Sequence, residues 1–132
     1  MNTRHAAALA IRSLLGLIFL GSGLNYFVPF FLEPPEPLPA TSLFDAFTAT
    51  GYMWPLIRGT EIVAGAFLLT GLFVPFALVI IAPVIVNILT VHLFLSPRYL
   101  PIALFVGALE VFLAWQYRES FAPLFGTPSR RN

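Results

Sequence analysis

The chain contains no cysteine and no lysine, and it has little charge of either sign: seven basic residues, all arginine, against six acidic ones in 132 residues. Without cysteine there are no disulfides, no thiol redox chemistry, no cysteine-ligated iron–sulfur cluster and no covalently attached c-type haem. A formal net charge of +1 provides no basic patch for nucleic acid. The two histidines, His5 and His92, fall near opposite ends of the apolar segments and cannot ligate one haem together. No hydrolase triad, phosphate-binding glycine loop or metal cluster is legible. No catalytic residue, metal ligand or obligatory cofactor is therefore assigned.

What fills the chain instead is apolar: 58% of residues are hydrophobic and 10% are charged, whereas soluble domains carry roughly 25% charged residues. A globule this small cannot hide so much apolar surface. The lipid bilayer is its natural solvent, and one integral membrane domain over 1–132 is expected.

Four apolar runs, at about 8–30, 54–73, 76–95 and 99–117, are each long enough to cross ~30 Å of hydrocarbon as helix. The first is too long for a signal peptide, and no A-x-A site follows it. Its Gly16, Gly21, Ser22 and Gly23 form a small-residue face for a neighbouring helix. That face suits packing within the chain and equally a second copy of it. Between runs one and two, four prolines fall in positions 34–40, which excludes helix there. Thr41 or Ser42 then caps a short surface helix over 43–50, which Gly51 ends. Tyr52 and Trp54 are expected as interfacial anchors. The expected fold is all-α, an antiparallel transmembrane four-helix bundle with one short interfacial helix. A polar tail, 118–132, follows.

Arginine sets the orientation. Arg4, Arg12, Arg118, Arg130 and Arg131 lie on the side of the termini, and only Arg98 lies on the other. Both termini are expected in the cytoplasm, which places the chain in the cytoplasmic (inner) membrane.

The second run carries Arg58 and Glu61, three residues apart. Intramembrane charges are costly and normally face a bundle interior with partners. Counted along the helices, His92, Arg58, Asn25, Glu61 and Asn87 lie roughly 5 to 12 Å below the outer ends. They form an expected outer polar layer. Arg12 and Glu110, ~6 and ~11 Å from the inner ends, form an expected inner pair. Each has a plainer reading: Arg58–Glu61 as a bundle lock, Arg12 as a snorkelling side chain, Asn25 and Asn87 as interhelical glue. His92 lies about 140° around the helix from Asn87 and reads as interfacial more readily than as a ligand. Asn25, Glu61, Asn87 and His92 suit the headgroup of a quinone, whose carbonyl oxygens need donors in a dry pocket.

The run Arg12-Ser13-Leu14-Leu15-Gly16-Leu17-Ile18-Phe19-Leu20-Gly21-Ser22-Gly23-Leu24-Asn25 resembles the first span of DoxX-family proteins, approximately R-x-x-L-G-x-x-F-x-x-S-G. Glu61 to Gly71, EIVAGAFLLTG, resembles the family's second span. The resemblance covers about 11–117. It implies a small four-helix bacterial membrane protein, a non-catalytic accessory or anchor subunit of a quinone-linked oxidoreductase, with a redox-enzyme subunit as partner. Most members of the family have no assigned activity. The resemblance also singles out Arg12, Asn25 and Glu61. Many members carry lysine after the first-span S-G-x, where this chain has Asn25-Tyr26, and the proline-rich segment looks like a subgroup feature. Two other readings of the residues stand beside this one: a carrier or binding protein for a small apolar molecule, and a structural assembly factor.

Overall fold

The computed structural model describes residues 3–33 and 35–126. The described residues are helical apart from short connections. Helix α1 spans Thr3–Phe27, α2 Leu38–Thr50, α3 Met53–Thr70, α4 Val74–Phe94, α5 Leu100–Gln116 and α6 Arg118–Phe125, with a 3-10 turn at Pro97–Tyr99 before α5. Arg130 and Arg131 of the expected polar tail lie outside the described residues.

The boundaries shift in instructive ways. Helix α1 ends two residues before Pro29, because a residue preceding proline is driven out of the helical region. Helix α2 starts at Leu38, five residues before the expected 43. Pro37 is its N-cap and Pro39 lies in its first turn, where a missing N–H leaves no bond unmade. Thr41 and Ser42 are not caps. Their hydroxyls donate back to the Leu38 carbonyl at 2.9 and 3.0 Å. Between α3 and α4 the reversal needs two left-handed residues, Gly71 at φ 78° and Phe73 at φ 52°. Helix α6 makes the first half of the tail helical.

Three segments, α1, α4 and Pro97–Gln116, are long and apolar enough to cross a membrane by length and composition. Helix α3 is not among them. Its 18 residues include Arg58, Glu61, Trp54 and Pro55, which lower its mean hydropathy.

Helix α3 makes the closest packing, against α1, and also contacts α4; α5 packs on α4 and α1. Glycines permit the α1–α3 approach. A Cβ at Gly65 would lie 2.6 Å from the Leu20 nitrogen and 2.8 Å from the Gly16 carbonyl oxygen, and one at Gly23 would lie 2.7 Å from the Arg58 carbonyl oxygen. The pairs Gly23–Ile62, Leu20–Gly65, Gly16–Leu68 and Arg12–Gly71 descend one helix as they climb the other, so α1 and α3 run antiparallel. The expected small-residue face of α1 is thus occupied within the chain at Gly16 and Gly23, while Gly21 has open space beside it.

Leu15, Phe19, Ala64, Leu68, Val74, Ala77, Leu78, Ile81, Ile85, Val106, Leu109 and Leu113 belong to one buried cluster contributed by α1, α3, α4 and α5. On the outside, Leu17, Val86, Ile102, Leu104, Phe105, Val111 and Trp115 are all more than half exposed. An exposed apolar belt of this extent marks a lipid-facing surface.

Candidate functional site: a polar-headed cavity

Beyond Ile85 the packing opens. Pro83 sits inside α4, where it removes a backbone donor and weakens the helix locally. Further along the same helix, Val84, Asn87, Ile88, Val91 and His92 line a cavity of about 720 Å³. The remaining walls come from the C-terminal part of α1, the face of α2, the first half of α3 and the start of α5. Most of the lining is apolar, including Phe19, Phe44, Phe47, Trp54, Ile57 and Val106. All five residues of the expected outer layer, Asn25, Arg58, Glu61, Asn87 and His92, border this one space.

Arg58 is its electrostatic centre. Its Nη1 donates to Ser22 Oγ at 2.6 Å and to Glu61 Oε2 at 3.1 Å. Its Nη2 lies 3.5 Å from Glu33 Oε1, and the guanidinium stacks 5.2 Å from the Trp54 ring centre. The Glu61 carboxylate is almost fully buried, at 3% exposure, so this charge is held by a guanidinium rather than by water. The spacing that puts Arg58 and Glu61 on one face is a single helical turn.

Asn25 does something the sequence did not announce. It is 7% exposed, and its Oδ1 accepts from the backbone N–H groups of both Phe30 and Phe31, at 2.9 and 3.0 Å. The chain leaving α1 is thereby turned back over the cavity. Two bonds to one oxygen also fix which end of the amide is oxygen.

The linker that follows supplies two residues not expected at the site, Glu33 and Glu36. Both line the cavity. Glu36 accepts a hydrogen bond from the fully buried Ser96 hydroxyl, and its Oε1 lies 3.7 Å from His92 Nε2. The Tyr99 hydroxyl donates to the Pro35 carbonyl at 3.0 Å. His92 Nδ1 lies 2.7 Å from the Ile88 carbonyl oxygen and donates to it, which leaves Nε2 facing Glu36. The linker is therefore a strap, tied to α1 by Asn25, to α3 by Arg58 and to the α4–α5 turn by Ser96 and Tyr99. The available signal was acidic side chains opposite Arg58 and His92 in a chain with few charges to pair.

Trp54, expected as an interfacial anchor, also has partners within the chain. It packs against Phe44 and Phe47 of α2, with ring centres 5.3 and 5.5 Å away. Its Nε1 donates to the Phe44 carbonyl and the Thr48 hydroxyl at 3.2 and 3.1 Å. Trp54 thus fastens α2 over the cavity, while Tyr52 remains exposed.

The expected inner pair does not form. No ion pair joins Arg12 to Glu110 among the described residues, and neither residue lines the cavity. Arg12 extends to the α3–α4 reversal, where a Cβ on Gly71 would lie 2.9 Å from its Nη1, as a long cation near a helix end does. Glu110 turns inward on the face of α5 that buries Val106 and Leu113. Arg12 Nε and Glu110 Oε2 are both buried without a hydrogen-bond partner. No group of three or more metal-ligating side chains occurs among the described residues.

Compared with known proteins, the chain matches the family description DoxX over residues 7–93, and it belongs to that family. The match covers Arg12 and every helical residue named in the outer layer, and it stops before Glu110. No curated protein matches the chain, and no solved structure does.

Proposed function

We propose that this DoxX-family protein is a non-catalytic accessory or anchor subunit of a quinone-linked oxidoreductase, and that its cavity holds a quinone. The single observation that carries this reading is the cavity itself, with apolar walls and one polar layer near the bundle end. It has the size and lining of a small-molecule site. In this reading electron transfer belongs to the quinone and the partner subunit.

The same proposal places the chain in the cytoplasmic membrane as one domain. Its four long helices form an antiparallel transmembrane bundle, and both termini lie in the cytoplasm. Helix α3 crosses despite its charges because Arg58 and Glu61 face partners instead of lipid. The surplus of arginine at the two ends supports the orientation.

A second reading, a structural or assembly factor, is favoured by a different observation. Arg58 alone ties together α1 through Ser22, α3 through Glu61 and the strap through Glu33. A third, a carrier for a small apolar molecule, uses the same cavity without the oxidoreductase. Glu61→Gln separates them. Lost respiration at normal protein level supports the accessory subunit. Unchanged respiration with lost uptake or altered lipid distribution supports the carrier. Disappearance of the protein supports the lock.

A further inference from the structure

The geometry points to a neutral amphiphile bearing an acceptor oxygen as the cavity's ligand, with the Asn25 side-chain amide as the group that donates to it. This rests on the reading that the cavity holds a ligand, and it adds the ligand's chemistry. Asn25 borders the cavity and is more than nine-tenths buried. Its oxygen is fully engaged by Phe30 and Phe31. Its NH₂ group has no partner among the described residues, yet it is not one of the occluded unpartnered atoms, which are Arg12 Nε, Arg58 Nε and Glu110 Oε2. The free amide hydrogens are therefore the part of this residue that a molecule in the cavity can reach. A donor left without a partner at so buried a residue gains from an oxygen acceptor in the cavity.

The charges around the head of the cavity select against anions. Three carboxylates, Glu33, Glu36 and Glu61, face one guanidinium, so a carboxylate or phosphate head meets net repulsion. A cationic ammonium head meets no such repulsion, but it has no acceptor to offer the Asn25 amide hydrogens. A carbonyl, ester or ether oxygen meets neither obstacle.

The test uses the full chain in phosphatidylcholine nanodiscs. Trp54 lines the cavity and Trp115 is the other tryptophan. In the Trp115→Phe background, quenching of Trp54 by decyl-1,4-benzoquinone reads occupancy. Expected is saturable quenching, relieved by 2-dodecanone at concentrations about tenfold below those needed with dodecanoate or dodecylammonium. Asn25→Asp retains an oxygen for Phe30 and Phe31 and loses the N–H donors. It is expected to weaken quinone binding about tenfold, the order of one lost hydrogen bond in a dry site. Equal or better competition by either ion overturns the inference and leaves a binding cavity standing. So does unchanged quinone affinity in Asn25→Asp. No saturable quenching by any probe overturns the binding reading itself. The three-probe comparison needs no variant in the site, so misfolding of Asn25→Asp cannot hide the answer.

Discussion

The Arg58 guanidinium and the Glu61 carboxylate meet at 3.1 Å on one turn of α3, with the carboxylate side chain 4% and the guanidinium side chain 14% exposed. Removing one partner of such a pair leaves the other charge buried, which costs more than removing both. Arg58→Met is expected to destabilise by about 3 kcal/mol. The double variant Arg58→Met/Glu61→Leu is expected to be clearly more stable than that single variant. Thermal unfolding in detergent at constant ionic strength measures both. A double variant less stable than Arg58→Met would remove the buried pair from the account.

At Gly65 the backbones of α1 and α3 approach closely. Gly65→Ala forces backbone apart, since the new Cβ would lie 2.6 Å from the Leu20 nitrogen. A loss of about 1–3 kcal/mol is expected. Gly21→Ala, which meets nothing within 4 Å, is expected to change stability little. The pair of melting curves distinguishes a contact effect from general intolerance of alanine.

Trp54 holds α2 by two ring contacts and two hydrogen bonds from its Nε1. Trp54→Phe retains most of the packing and loses both bonds, at about 1 kcal/mol or slightly more. Hydrogen exchange should then quicken in 38–50 and hardly change in 74–85. Uniform quickening across the chain would mean that Trp54 supports the whole fold and not α2 alone.

Because the chain lacks cysteine, single introduced thiols report sidedness without a background. A membrane-impermeant maleimide added to intact cells, with the outer membrane made permeable, is expected to label Asp45→Cys on α2. Ser120→Cys on α6 should react only after the inner membrane is opened. Both positions are exposed. The reverse pattern would invert the orientation that arginine implies.

Helix content and the outer polar layer were legible because they depend on local spacing. Arg58 and Glu61 share a face by helical period alone, and Asn25, Asn87 and His92 follow from depth. Three things depend on tertiary geometry and were not legible. Glu33 and Glu36 reach the site because Asn25, Arg58, Ser96 and Tyr99 together hold the linker over it. Arg12 and Glu110 were matched by depth and charge, but depth says nothing of where a helix face points. Helix α2 began early because prolines that break a helix interior are harmless in a first turn.

The central claim is that the cavity holds a quinone for a partner enzyme. Mass spectrometry of the protein purified gently from its own membranes tests it most directly. The account predicts near-stoichiometric quinone or a co-purifying redox subunit, with quinone reduced in Asn25→Asp. Bulk phospholipid alone, with no quinone and no partner polypeptide, would contradict it.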